Sequence, residues 1–379
     1  TMQTNLTQGT TYYWRFYGYD PEGVDSFDGT KHWSNASATR SFTIAAIDHV
    51  SFSTAQQDIV VTFCSAVMTV NLRDSANNEI YLTNDDGAKT INLATTSSTG
   101  VFYSDGSCQN AISGNNVDIA VGENSASFYY KDATPSAVNS FWNITAAESP
   151  SAGWTDASQN IRVRPGDFGS LEISIAGSLT QVTAGVAFST PANDVTVTAK
   201  DIFGNVKSDW TGQVWFYSSD SQAAFTYNDS NRYTFTSSDG SDNGTHTFIG
   251  SGFVFKTKGS QSLVVHNSVD SQYDAITDIT VLCAGADHFS LADYPRTASN
   301  KFAMSSFAWD VSGYSSAPYS PAASVYDAYN NLIDNFTGEV WFELYKANDT
   351  PGNPLNSTAD YAFDYDHTNH YTFTTGEGM

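Results

Sequence analysis

A repeated stretch decides the fold: residues 201–216 read DIFGNVKSDWTGQVWF, and residues 327–342 read DAYNNLIDNFTGEVWF. A shorter and more divergent copy, at residues 70–78, reads VNLRDSANN. Each copy is an alternating strand that ends in Asp-x-x-(Asn/Gly)-Asn. An Asp at this place closes an Asx turn onto the backbone two residues later, and Asn or Gly accepts the left-handed conformation that follows. We interpret the motif as a strand-ending turn; a cation bound by the Asp and Asn side chains is the alternative.

The motif recurs at an almost constant interval. Its Asp residues lie 127 and 126 residues apart, and the residues that define it are Asp74, Asn78, Asp201, Asn205, Asp327 and Asn331. Module starts recur as well, because Asp48–Phe52 resembles Asp287–Leu291. Repeats of about 120 residues have the size of one β-sandwich. We therefore predict a first region at 1–45, full modules at 46–166 and 167–285, and a partial module at 286–379.

Composition and charge exclude several classes of function. Aromatic residues make up 14% of the chain and charged residues 15%, and no long stretch has the helical period, so we predict an all-β protein. The net charge of −24 repels nucleic acid and anionic membranes, and no run of 18 apolar residues would insert this segment into a bilayer. Because no nucleophile elbow, HExxH, P-loop or Cys-His cluster occurs, we predict no catalytic residues and no enzyme.

The first 45 residues resemble the C-terminal half of a fibronectin type III domain. Leu6–Tyr12 matches the pattern of that family before a late strand, although Gln8 stands where the family often has Pro. Tyr12 occupies the place of the tyrosine corner, and Phe42–Ile44 resembles the last strand. The resemblance implies that Tyr12 anchors a sandwich through a hydrogen bond to the main chain.

The repeats resemble the bacterial immunoglobulin-like repeats of large surface proteins and adhesins. The likeness is carried by Asp201–Asn205, Trp210–Gly212 and Asn243–Phe248. It implies tandem immunoglobulin-like β-sandwich modules, the first and last of them incomplete, in a secreted or cell-surface, extracellular protein. Residues 100–105 and 127–132 resemble a related surface-repeat type, which often carries a cysteine pair placed like Cys64 and Cys108.

The chain contains three cysteines. Cys64 and Cys108 fall within one predicted module, so a disulfide between them is expected to constrain the unfolded chain. Cys283 is left over. Buried free thiols are the alternative for all three residues.

Acidic loops make calcium the metal to consider, because hard cations take six to eight oxygen ligands. The candidate ligands are Asp20, Glu22, Asp25, Asp28, Asp239 and Asp242. Asp85–Gly87 is a further acidic loop. None of these loops matches an EF-hand, and solvated turns without metal are the alternative. No other cofactor is expected.

Two features of the sequence concern sugars: its tryptophans and its glycosylation sequons. Exposed tryptophans can stack on sugar rings, although an aromatic side chain in a repeated strand is more often packed inside; the candidates are Trp142, Trp154, Trp210 and Trp341. Eight Asn-x-Ser/Thr sequons are candidates for glycosylation, a number that composition alone would produce: Asn5, Asn35, Asn143, Asn228, Asn243, Asn335, Asn348 and Asn356.

These features predict a structural or adhesive extracellular surface protein or filament subunit, an elongated string of modules stacked end to end. The expected partners are other copies of itself or other surface proteins, through strand addition at open sheet edges, and glycans. The open modules indicate a piece of something longer, by covalent chain or by assembly. The alternative is a non-catalytic accessory region of a secreted polysaccharide-degrading enzyme, used for carbohydrate binding or as a spacer.

Overall fold

A computed structural model describes residues 6–24, 31–33, 36–238, 240–268, 273–292, 322–340 and 371–372. These residues are all-β, with short 3-10 turns at Ser113–Asn115, Ala176–Ser178 and Gly250–Gly252. Within them no helix is long and apolar enough to cross a membrane. The predicted fold class is confirmed, since the strands form immunoglobulin-like β-sandwiches in tandem.

Two compact units divide the chain. The first unit contains Thr1–Gly169, Ala199–Trp210 and Thr236–Gly244, and the second contains Ser170–Thr198, Thr211–Phe235 and Thr245–Met379. The domain boundaries drawn from the sequence remain predictions.

The N-terminal part of the first unit consists of two strand pairs. Its strands are β1 (Thr11–Trp14), β2 (Tyr19–Val24), β3 (Lys31–Trp33) and β4 (Arg40–Thr43). β1 pairs with β4 and β2 with β3, all antiparallel. The Tyr12 ring stacks on Phe42 at 5.8 Å, and its hydroxyl accepts a hydrogen bond of 2.8 Å from the Thr7 N–H. Tyr12 therefore bonds to the upstream main chain, as the tyrosine-corner resemblance implies.

A complete sandwich follows in the first unit. Its strands are β5 (His49–Phe52), β6 (Gln57–Val60), β7 (Met68–Arg73), β8 (Lys89–Thr95), β9 (Val101–Tyr103), β10 (Asn116–Ile119), β11 (Ser125–Lys131), β12 (Trp142–Ser149) and β13 (Ala157–Arg164). One sheet has the order β10-β8-β12-β13-β6, with β6 parallel to β13, and the other has the order β5-β7-β11-β9. Alternate side chains face the core, as on β7, where Met68, Val70 and Leu72 are fully buried.

The next sandwich repeats this strand order. Its strands are β14 (Phe168–Ile175), β15 (Gln181–Thr183), β16 (Val195–Asp201), β17 (Gln213–Ser218), β18 (Ala224–Phe225), β19 (Tyr233–Thr234), β20 (Thr245–Phe248), β21 (Phe253–Val254), β22 (Gly259–Asn267) and β23 (Tyr273–Leu282). One sheet runs β14-β16-β20, and the other runs β15-β23-β22-β17-β19, with β15 parallel to β23. In the second unit the core is aromatic: the Phe216 ring lies 5.0 Å from Phe248 and 4.8 Å from Phe253.

The final described strands repeat two of these pairings. They are β24 (Ala286–Ala292), β25 (Ala322–Asp327), β26 (Glu339–Val340) and β27 (Tyr371–Thr372). β24 pairs with β25 as β5 does with β7, and β26 pairs with β27 as β17 does with β19, all antiparallel. Val325 and Ile333 are buried here, with Cys283 and Phe336 packed against them.

Candidate functional site

The three Asp–Asn motifs fold into one and the same turn. In each, one carboxylate oxygen of the Asp accepts hydrogen bonds from the N–H groups two and four residues later, at distances of 2.8–2.9 Å. The other oxygen accepts from the Asn side-chain amide, at 2.8–3.2 Å. The residue before the Asn is left-handed in every copy, namely Asn77 (φ 66°), Gly204 (φ 86°) and Asn330 (φ 64°). The motif is thus a strand-ending turn whose carboxylate oxygens are both occupied by N–H donors.

Two of the turns also bind the linker that leads into their own module. Oδ2 of Asp201 accepts a 2.9 Å hydrogen bond from the Gly166 N–H. Oδ2 of Asp327 accepts one of the same length from the Ala284 N–H. Gly166 and Ala284 each stand two residues before the first strand of the module. In these copies the turn therefore connects the end of its own strand, β16 or β25, to the segment that enters the module.

Around Asp327 the contact extends to a loop of the preceding sandwich in the second unit. The Asn331 amide donates to the Lys256 carbonyl at 2.6 Å, and its Oδ1 accepts from the Lys258 N–H at 2.8 Å. The Asn331 side chain thus both donates to and accepts from the backbone of residues 256–258, as a neighbouring strand would. The Lys258 ammonium adds a 3.0 Å bond to the Leu332 carbonyl and a 2.8 Å ion pair with Asp334.

Tyr329 lies in the same junction. Gln222 donates to its carbonyl at 3.2 Å, and the Lys256 ammonium lies 5.9 Å from its ring centroid. A Cβ atom on Gly185 would overlap the Tyr329 hydroxyl, and Gly185 has a φ of 76°. Glycine is required at that position for both reasons.

The loop that receives Asn331 is held by a buried carboxylate, Asp220. Its Oδ2 accepts from the N–H groups of Lys256 and Thr257, at 2.5 and 2.8 Å, and its Oδ1 accepts from the Thr257 hydroxyl at 2.5 Å. Asp220 is only 3% exposed. The loop is therefore preorganised by its own sandwich for the contact with Asn331.

The electrostatics of the three buried carboxylates follow from these contacts. Burial by itself would raise the pKa of Asp327, but hydrogen bonds from Asn331, Ala284 and Tyr329 outweigh it and hold the pKa below the ordinary 3.8. The same balance lowers the pKa of Asp201 and of Asp220. All three groups are therefore ionised at neutral pH and are held by N–H and O–H donors.

The junction in the first unit is more apolar. A Cβ atom on Gly166 would lie 2.9 Å from the Phe203 ring, and the Ile202 N–H donates to the Asp167 carbonyl at 2.9 Å. Phe168 stacks on Trp210 at 5.2 Å. Trp210 is only 6% exposed. Trp210, one of the candidates for stacking on a sugar, is therefore not exposed, because this ring packs against the first strand of its module.

The other tryptophan candidates differ in their surroundings. Trp142 is half-buried against the core of the first sandwich, and its indole N–H donates to the Thr134 carbonyl at 3.1 Å. Trp154 is also half-buried against that core. Trp341 lies outside the described residues. Trp142 and Trp154 thus each use part of their ring surface to pack on the core.

The cysteine prediction is confirmed for one pair. Cys64 and Cys108 form a disulfide with a Cα–Cα distance of 5.7 Å. Cys283 is a free, half-buried thiol, 3.7 Å from the Leu332 carbonyl oxygen.

The proposed calcium ligands are not brought together in the described part of the chain. Asp20 and Glu22 lie in β2, whereas Asp25, Asp28 and Asp239 lie outside the described residues. Asp242 accepts hydrogen bonds from the Thr236 N–H and hydroxyl. Among the described residues no group of three or more His, Cys, Asp or Glu side chains could hold a metal ion.

The sequons differ in accessibility. Asn228 and Asn335 are exposed. The Asn143 amide donates to Ser158 and Asn160 across neighbouring strands. Asn243 is half-buried, and its side-chain oxygen has no hydrogen-bond partner among the described residues. Four sequons lie outside the described residues: Asn5, Asn35, Asn348 and Asn356.

Sequence reasoning missed the receiving side of the junction. Asp220, Gly185 and the loop at 256–258 belong to no repeated motif, and they meet Asn331 only through folding. The one available signal was the motif itself, since a carboxylate oxygen that accepts from the Asn amide can accept from a second donor as well.

Comparisons with known proteins place the chain in no family. No family model matches it, and no curated protein matches it. Solved structures match it at low similarity. The S-layer protein rSbsC(31-844) is 10% identical, with 85% of this chain and 44% of that chain covered and a TM-score of 0.25. CBD12 from CALX1.2 is 11% identical, with 59% and 82% covered and a TM-score of 0.23. A chaperone–tip adhesin complex of CFA/I fimbriae is 8% identical, with 61% and 99% covered and a TM-score of 0.23.

This chain spans less than half of the S-layer chain just described. TM-scores this low assign this chain neither a function nor a ligand. Its function therefore has to be argued from its own contacts.

Proposed function

We propose that this chain is part of an extracellular structural or adhesive protein, in which tandem immunoglobulin-like modules provide reach and stiffness. The observation that carries the proposal is the Asp–Asn turn that hydrogen-bonds the linker of its own module. A linker whose N–H is bound has fewer accessible conformations than a free one, so successive modules keep a restricted orientation.

The junction around Asp327 supports this proposal most strongly. There the linker, the turn and the preceding loop are joined through Ala284, Asn331 and Lys256. Each contact uses backbone groups or a buried side chain. Exposed ion pairs contribute little to stability, whereas buried and fully paired hydrogen bonds contribute more.

Hydrogen exchange at the Ala284 amide tests the proposal. Asp327→Ala removes the acceptor of that N–H, and we expect exchange to accelerate at least about tenfold, the effect of losing one hydrogen bond. Asp74→Ala is the matched control, because Asp74 makes the same turn without a bond to a linker. Unchanged exchange of Ala284 in Asp327→Ala would contradict the proposal.

The shape of the protein in solution offers a second test. A string of modules with restricted junctions is expected to give an elongated particle in small-angle scattering. A compact particle of the same mass would rule out the stiff-string function.

Partners and calcium are further proposals. The proposed partners are other copies of the chain or other surface proteins, joined by strand addition at open sheet edges. Sedimentation velocity at rising concentration tests self-association; a single monomer peak at every concentration would remove the first partner. The segment of residues 20–28 is the proposed calcium site, because its four carboxylates outnumber those of the other two acidic segments.

A further inference from the structure

The outer face of the five-stranded sheet in the second unit carries a row of aromatic side chains. Trp215 on β17, His266 on β22 and Tyr273 on β23 are direct cross-strand partners. Their neighbouring ring centroids are 6.0 and 5.7 Å apart, with interplanar angles of 27° and 18°. Tyr217 joins the row edge-on, 4.8 Å from His266. We call these four residues the aromatic row.

The row is open to solvent at one end and covered at the other. Tyr273 is 64% exposed and Tyr217 is 43% exposed. Trp215 is only 8% exposed, because the Arg232 guanidinium lies 3.9 Å from the centre of its ring. The same guanidinium forms an ion pair with Asp229. The row therefore presents ring surfaces and a guanidinium side by side on one sheet face.

The indole N–H of Trp215 adds a second anomaly. It is buried and has no hydrogen-bond partner among the described residues. A buried tryptophan normally finds an acceptor for this group, because an unpaired donor costs free energy. A ligand hydroxyl entering beside Arg232 would supply that acceptor.

The corresponding face of the sandwich in the first unit has a different character. Its side chains form polar cross-strand pairs: Thr90 donates to Asp118 at 2.6 Å, and Asn92 donates to Asn116 at 2.9 Å. Asn143 bonds Ser158 and Asn160 in the same way. The strand order is identical, so the fold does not require aromatic residues on this face. Of these two sandwiches, only the one in the second unit bears the aromatic row.

We propose that the aromatic row binds a neutral polysaccharide, with pyranose rings stacked on Tyr273 and its neighbours. Each row residue combines a flat apolar ring with a polar edge, which suits the apolar faces and equatorial hydroxyls of a sugar ring. A neutral polymer is favoured over a charged one, since the net charge of −24 repels an anionic polymer and Arg232, the cation beside the row, is already paired with Asp229. The proposal is independent of the structural function proposed above.

Affinity gel electrophoresis tests this binding, with hydroxyethylcellulose, galactomannan and soluble starch in the gel. We expect at least one of them to retard the whole chain. Tyr273→Ala is expected to weaken the association constant about tenfold, the loss of one stacked ring. His266→Ala is expected to weaken the association constant by a similar factor, because the rings of the row bind the polymer as one surface.

Tyr81→Ala is the matched control, because Tyr81 is 57% exposed and lies on the other sandwich. Thermal unfolding of each variant shows whether it is folded. Three results would overturn the proposal: no retardation of the whole chain by any of the three polymers, equal retardation of Tyr273→Ala and Tyr81→Ala, or self-association that Tyr273→Ala abolishes. The last result would assign the row to a contact between copies.

Discussion

Asp327 satisfies four donors with a single carboxylate: the N–H groups of Tyr329, Asn331 and Ala284 and the Asn331 amide. Three of these bonds build the local turn, and the bond from Ala284 reaches another segment. Asp74 builds the same turn from donors in its own turn and remains partly exposed. The same residue type at the same motif position thus has a local role in one module and a junction role in another.

Acid is expected to weaken the protein through these carboxylates. The pKa values of Asp201, Asp220 and Asp327 lie below 3.8 in the folded state, whereas unfolded Asp titrates near about 3.9. Between these values the unfolded state binds more protons, so stability rises with pH there. The contribution is complete above about pH 5 and is lost as the pH falls through the folded pKa values.

Urea unfolding between pH 2.5 and 6 measures this effect. Asp327→Ala is expected to flatten the acid slope, because it removes one linked group. Acid also reduces the repulsion among negative charges, so the series belongs in 0.5 M salt, where that repulsion is screened. An acid slope identical in the wild type and Asp327→Ala would show that Asp327 is not linked to folding.

At the scale of elements, the two sandwiches share a strand order and differ in what their faces carry. In both, a short strand, β6 or β15, pairs parallel with the last strand of the sandwich. Only inward-facing positions are constrained by the core. The outer face of the same sheet is polar in one sandwich and bears the aromatic row in the other, so function can vary there without disturbing the fold.

The disulfide joins two elements of the first sandwich, since it connects the loop after β6 with the loop after β9. It closes a sequence separation of 44 residues. Loop-closure entropy then predicts a contribution of about 4 kcal/mol to the free energy of unfolding. Replacing Cys64 and Cys108 together by Ser is expected to lose most of it, as measured by urea unfolding of the first sandwich.

Cys283→Ser is the matched control for the cysteine pair. Because the Cys283 thiol is free, reductant should not change the effect of Cys283→Ser on the free energy of unfolding. Reductant should lower the free energy of unfolding of the wild type to that of the double variant. A wild type insensitive to reductant, with Cys64 and Cys108 accessible, would contradict the contribution assigned to the bridge.

At the scale of the whole molecule, charge dominates. The net charge of −24 makes the surface self-repelling, and screening by salt relieves this repulsion. Screening by salt and binding to the proposed calcium site are two distinguishable ways in which added cations would stabilise the protein. Screening depends on ionic strength alone, whereas a calcium site responds to calcium at low concentration.

Thermal unfolding at matched ionic strength separates the two effects. Sodium chloride is expected to raise the Tm by screening, and calcium chloride is expected to raise it further if calcium binds the segment of residues 20–28. A chelator should remove the additional rise. Equal Tm values in the two salts would remove the calcium proposal and leave screening as the whole effect.

The sequence by itself determined the features that depend on neighbouring residues. Strand alternation, the module repeat and the turns at Asp74, Asp201 and Asp327 all follow from short-range geometry, since an Asx turn needs only donors two and four residues away. The pairing of Cys64 with Cys108 could be predicted because both cysteines fall in one module. These are local or repeated signals, and each is readable without knowing which strands meet.

Only the tertiary structure decided the long-range contacts. Asn331 meets Lys256 across 75 residues, and Trp210 is buried although the residues beside it in the sequence gave no sign of it. The aromatic row exists because β17, β22 and β23 align Trp215, His266 and Tyr273 in register. Register between distant strands is set by the packing of the whole sandwich, and no single segment encodes it.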